Sequence, residues 1–60
     1  MLLRDVEKFL RDHAMTATRF GRDAVNDPRL VLDLRNGRTP LPKMERRIRD
    51  WMERQKEERT

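Results

Sequence analysis

Arginines supply most of the binding chemistry in this 60-residue chain. Nine basic side chains lie between positions 19 and 49, against four acidic ones. A guanidinium group donates several hydrogen bonds from a fixed planar geometry, which suits phosphate oxygens and the edges of bases. The excess positive charge predicts a polyanion as partner, and a solvated arginine-rich surface accounts for the charge equally well.

Catalytic and metal-binding chemistry has little support in the sequence. The chain has no cysteine and one histidine, which argues against disulfides and thiolate metal sites. We find no nucleophile–base pair and no glycine-rich loop that would cradle a phosphate. We therefore predict that the protein is not an enzyme and takes no cofactor or metal. The longest apolar runs are three residues, at positions 1–3 and 30–32, too short to cross a membrane, and we expect a cytoplasmic protein.

Hydrophobic periodicity predicts four helices. Apolar residues spaced at three and four over 2–13 are typical of an amphipathic first helix. A second helix is predicted over about 17–25, a third over 28–36 and a last over about 42–57. No pattern favours a strand. The charged sequence after Met52 predicts a frayed tail over 54–60.

The boundaries of the third helix carry the strongest local signals. Asp27 is a preferred N-cap residue, and Pro28 suits the first helical position because its missing N–H would be unpaired there. Asn36 and Gly37 tolerate the left-handed conformation that ends helices. Gly21, in the second helix, is expected to permit close helix–helix approach.

Residues 16–40 resemble, without a gap, the helix-turn-helix motif of the lambda-repressor/Cro-like family. A typical member has Ser-Gln opening its second helix, then Leu-Ala, and a recognition helix that ends in a pattern close to Ile-Glu-Asn-Gly-Lys-x-Pro. Here Thr16-Ala17, Phe20-Gly21 and the segment LRNGRTP at 34–40 stand at those places. The resemblance implies an all-α fold, a small four-helix bundle in which residues 1–53 form one domain. The motif would occupy 16–37 and the recognition helix 28–36.

The same resemblance implies a sequence-specific, double-stranded DNA-binding regulator of bacterial or phage type, located with the nucleoid. Helix 28–36 would enter the major groove. Base contacts are then expected from Arg29, Leu32 and Asp33, although Asp33 is better placed as an intrahelical partner of Arg29. Phosphate contacts are expected from polar residues around the motif: Thr18, Arg19, Arg22, Arg35, Asn36 and Arg38.

A second interpretation is a protein-interaction module, such as an anti-activator or adaptor, on the same scaffold. Apolar side chains beyond the needs of a small core would form its partner surface. Leu30, Ile48, Trp51 and Met52 are the candidates for that surface or for a homodimer contact. A place in the core is the simplest interpretation of the last three.

Overall fold

Each predicted helix is present, with bounds that differ by a few residues from those expected. The computed structural model describes residues 1–59, and the side chains of residues 1–57. Four helices make up the fold, α1 Leu2–Asp12, α2 Ala17–Val25, α3 Leu30–Arg35 and α4 Pro42–Arg59, and the described residues include no strand. The all-α prediction with four helices is confirmed.

The helix α4 is longer than expected. It continues through Arg59, so the boundary predicted at residue 53 falls inside a helix, and residues 54–59 are helical where we expected a frayed tail. The last tail position, residue 60, lies outside the described residues. The helix extends although its final turns carry no apolar residue, because those turns continue a helix already anchored by its buried residues.

The helix α3 is shorter than expected, because residues 28 and 29 form a tight turn rather than an α-helical one. The Leu30 N–H donates to the carbonyl oxygen of Asp27 at 3.1 Å, only three residues back. The Asp27 carboxylate accepts from the Arg29 N–H at 3.0 Å, as a capping residue does. The chemistry of Asp27 was therefore predicted correctly, and the start of the α-helix at residue 28 was wrong.

The turn between α2 and α3 depends on Asn26 and Gly21. Asn26 ends α2 in the left-handed conformation, with φ of 57° and ψ of 35°, a conformation that asparagine tolerates. The chain then folds back until the Asp27 N–H donates to the Gly21 carbonyl oxygen at 3.0 Å. A Cβ at Gly21 would overlap the carbonyl oxygen of Asp27 and lie 3.2 Å from Cβ of Leu30. The close approach expected at Gly21 is confirmed.

All four helices contribute to one apolar core. Its largest fully buried side chains are Phe20, Ile48, Val6 and Val31. The ring of Phe20 meets that of Trp51 edge-on, with centroids 5.3 Å apart, a favourable geometry for aromatic pairs. Among the side chains that the structure describes, the buried apolar ones are Leu2, Val6, Phe9, Leu10, Phe20, Ala24, Val25, Leu30, Val31, Leu34, Ile48 and Met52.

Candidate nucleic-acid interface

The helix α3 presents one side to the core and the opposite side, with three polar residues and one leucine, outward. Its buried residues are Leu30, Val31 and Leu34. The opposite side, which we call the α3 stripe, consists of Arg29, Leu32, Asp33 and Asn36. These positions recur at three- and four-residue spacing, so they lie on one face. The structure thus brings together all three residues predicted to contact bases.

Within the α3 stripe, Leu32 and Arg29 are the most available side chains. Leu32 is 48% exposed although it is apolar. Arg29 is exposed, and the ion pair expected between Arg29 and Asp33 does not form among the described residues. Only their backbones meet, with the Asp33 N–H donating to the Arg29 carbonyl oxygen at 2.9 Å. The guanidinium of Arg29 is therefore available to an external acceptor.

Arg35, predicted to contact phosphate, instead binds Glu7 of α1. Its Nε and Nη2 atoms donate to the two carboxylate oxygens of Glu7 at 2.9 Å and 2.7 Å. This fork-like geometry is the strong form of an arginine–carboxylate pair. The hydrogen bonds hold the pKa of the Glu7 carboxyl below its usual value and raise the pKa of Arg35. The pair fastens one flank of α3 to α1 and so helps to fix the direction of the stripe.

The remaining predicted phosphate contacts lie on α2, within the α3 stripe at Asn36, and in the loop after α3. On α2, Thr18 and Arg22 are exposed. Arg19 makes a longer and largely exposed contact with Asp23, at 3.4 Å. Such pairs add little stability, so the Arg19 side chain can exchange partners at small cost.

The loop after α3 holds Arg38 in a defined place. The Arg38 N–H donates to the Asp33 carbonyl oxygen at 3.0 Å, and the Gly37 N–H donates to Leu34 at 3.1 Å. Gly37 has φ of 91°. These features form a Schellman motif, which satisfies the last carbonyls of the helix. Asn36 keeps φ of −84°, so Gly37 alone of this pair adopts the left-handed conformation.

Three of the four residues considered for a partner surface are core residues. Leu30 is 6% exposed, Ile48 is fully buried and Met52 is 7% exposed. Each packs among apolar side chains of the same chain, which corrects their assignment to an external surface. Trp51 is half-buried at the edge of the core.

A second basic surface, which was not predicted from the sequence, lies between α2 and α4. It is an open groove, here called the α4 groove, with a volume of about 470 Å³. Its basic residues are Lys43, Arg46, Arg47 and Arg54. The spacing of Lys43, Arg47 and Arg54 along one helix face was the available signal. The packing of α2 against α4, which forms the opposite wall, joins residues far apart in the chain and was not predictable from local sequence.

Comparison of the chain with protein-family models, curated proteins and solved structures yields no match. Within the described residues, no group of three or more histidine or acidic side chains is arranged to hold a metal ion. No helix in that part of the chain has the length and apolar character needed to cross a membrane. Inference about function therefore starts from the α3 stripe and the basic residues around it.

Proposed function

We propose that the protein is a sequence-specific, double-stranded DNA-binding transcriptional regulator with a lambda-repressor-like helix-turn-helix, and that α3 reads the major groove. The observation that carries this proposal is the α3 stripe. It places an available guanidinium, an exposed aliphatic side chain and an amide on one face of a helix that follows a tight turn. A helix presented in this way fits the major groove of B-form DNA.

The stripe is long enough to read a short half-site. From residue 29 to residue 36, a helical rise of about 1.5 Å per residue gives about 10 Å. At about 3.4 Å per base pair, this length corresponds to about three base pairs. Arg29 would donate to O6 and N7 of a guanine, and Leu32 would contact a thymine methyl group. Asp33 would accept from N4 of a cytosine.

The phosphate contacts fall into two groups. The first group would bind the DNA backbone through exposed side chains: Thr18, Arg19, Arg22, Asn36 and Arg38. Arg35 would have to leave Glu7 to do so. We assign it to holding α3 in place, and the contacts from the first group set the position of the helix on DNA.

Fluorescence anisotropy with labelled duplexes tests the proposal. One duplex carries the region upstream of the coding sequence, another has random sequence, and both are titrated across a salt series. We expect tighter binding to the upstream duplex than to the random one. A plot of the logarithm of the binding constant against the logarithm of the salt concentration should have a slope of about −0.9 for each phosphate contact. The double variant Arg29→Ala, Arg38→Ala should lose specific binding, while Arg4→Ala on the outer side of α1 should not. Equal affinity of wild type and the double variant for every duplex would refute this assignment.

A homodimer would extend the same mode of binding. Two copies would present their α3 helices about 34 Å apart, one turn of DNA, to a palindromic site. A complex of two copies with one duplex is heavier than a one-to-one complex by the mass of one chain, 7.3 kDa, and analytical ultracentrifugation of the complex measures that difference.

The alternative function is a protein-interaction module, for which the exposure of Leu32 is the specific observation. A 48% exposed leucine at the centre of the stripe is also a side chain that a protein partner would cover. Leu32→Ser should then abolish capture of the partner, whereas loss of Arg29 and Arg38 should leave capture intact. Loss of DNA binding in the arginine double variant would favour the regulator instead.

A further inference from the structure

We infer that the α4 groove binds an acidic segment of a partner protein, which places an apolar side chain against Trp51. This inference goes beyond the proposed DNA binding and does not depend on it. The groove is lined by α2 and α4 only, and no residue of the α3 stripe contributes to it. A protein seated there would leave the stripe uncovered.

The charge of the groove argues for an acidic occupant. Its four basic residues, Lys43, Arg46, Arg47 and Arg54, are exposed, and none forms an ion pair within the described part of the chain. Arginines elsewhere, such as Arg35 and Arg49, bind carboxylates of α1. Several unneutralised cations within one concavity attract a complementary negative segment and speed its association.

Trp51 and two carboxylates favour a peptide over a nucleic acid as the occupant. Trp51 is half-buried and braced edge-on against Phe20, so it offers a rigid apolar contact at the wall of the groove. Such partly buried aromatic side chains are common anchors in protein interfaces. Asp23 and Asp50 also line the groove. These carboxylates repel any anion, so their charge does not separate the two kinds of occupant, but they can accept hydrogen bonds from the backbone N–H groups of a peptide, which a phosphate backbone lacks.

Trp51 is the single tryptophan of the chain, so its emission reports directly on the groove. The probe is a synthetic peptide of twelve residues, aspartate and glutamate with one central phenylalanine. Titration into the full chain should shift the Trp51 emission saturably, and the affinity should fall as salt rises. The double variant Arg47→Ala, Arg54→Ala should bind about tenfold more weakly, a loss of about 1.4 kcal/mol from two exposed charge pairs together.

The variant Arg29→Ala, Arg38→Ala is a matched control, because it also removes two exposed arginines and leaves the same net charge. It should bind the peptide as the wild type does while losing DNA binding. Failure of the DNA proposal would leave the peptide result unchanged, so the two can be told apart. Circular dichroism verifies that both variants fold. If Arg47→Ala, Arg54→Ala does not fold, Lys43→Ala, Arg46→Ala removes two other basic residues of the groove and takes its place.

Four results would overturn the inference. The first is no saturable shift of Trp51 emission, and the second is equal weakening in both double variants, which would indicate a general charge effect. The third is a loss of duplex affinity in Arg47→Ala, Arg54→Ala as large as that in Arg29→Ala, Arg38→Ala, which would place the groove in a nucleic-acid interface. The fourth is self-association that the groove variant abolishes, which would make a second copy the occupant.

Discussion

Replacing Gly21 with alanine should destabilise the protein, although alanine is the better helix former. In an exposed helix interior this change would add about 1 kcal/mol of stability. Here the new Cβ would overlap the carbonyl oxygen of Asp27, a backbone atom that no rotamer change can move. Overpacking of this kind costs about 1–3 kcal/mol. Displacing the turn would also weaken the 3.0 Å hydrogen bond from Asp27 N–H to Gly21, at about 1 kcal/mol.

The expected net loss for Gly21→Ala is therefore about 1–3 kcal/mol, a large part of the roughly 3–5 kcal/mol that a core of this size supplies. Urea unfolding followed by Trp51 fluorescence and by circular dichroism measures it. With a slope of about 1 kcal/mol per molar urea, the midpoint should fall by about 1–3 M. Thr18→Ala, at an exposed position of the same helix, should stay within about 0.5 kcal/mol of wild type. A midpoint for Gly21→Ala at or above that of wild type would refute the reasoning.

Two further predictions concern the ends and flanks of α1. Ala14 is exposed with φ of 51°, so Ala14→Gly should raise the free energy of unfolding by about 0.5–1 kcal/mol in the same urea assay, and a lower midpoint would contradict this. Hydrogen bonds from Arg49 and Arg35 lower the pKa values of Asp5 and Glu7 in the folded state. The contribution of these two ion pairs to the free energy of unfolding is present above the unfolded pKa values of the carboxyls and is lost as pH falls below about 4. Glu7→Gln should therefore show a smaller loss of stability between pH 5 and pH 3 than wild type. Parallel pH profiles for the two proteins would argue against the Glu7–Arg35 pair.

Short-range features of the fold were predictable because their causes are local. The periodicity of residues 2–13 reflects one buried face of a helix, and α1 spans nearly that range. Thr16 caps α2 by accepting from the Arg19 N–H at 3.2 Å, as a hydroxyl residue at the start of a helix commonly does. Gly37 ends α3 as its missing side chain suggested. Each of these outcomes depends on residues no more than four or five positions apart.

The interface was predictable only in part, because several decisive contacts join distant positions. The partner of Arg35 is 28 residues away, and one of the two partners of Arg49, Asp5, is 44 residues away. No local pattern distinguishes an arginine that will meet a carboxylate of another helix from one that stays exposed. The tight turn at Asp27 shortened α3 for a related reason. The turn is set by contact with Gly21 on the preceding helix as well as by the preferences of Asp27 and Pro28.

The distribution of carboxylates explains why the protein has two basic surfaces rather than a uniformly basic one. Asp5 and Glu7 lie on α1 and neutralise Arg49 and Arg35, the cations that face that helix. Neither carboxylate lines the α4 groove or pairs with Arg29 of the α3 stripe. Within the described residues, the guanidinium groups of the stripe and the groove therefore stay without an ion pair, although Asp33 lies in the stripe and Asp23 and Asp50 line the groove. An acidic segment in the groove would reduce the positive field felt by DNA at the stripe. The two proposed partners should consequently weaken each other's binding, and more strongly at low salt than at high salt.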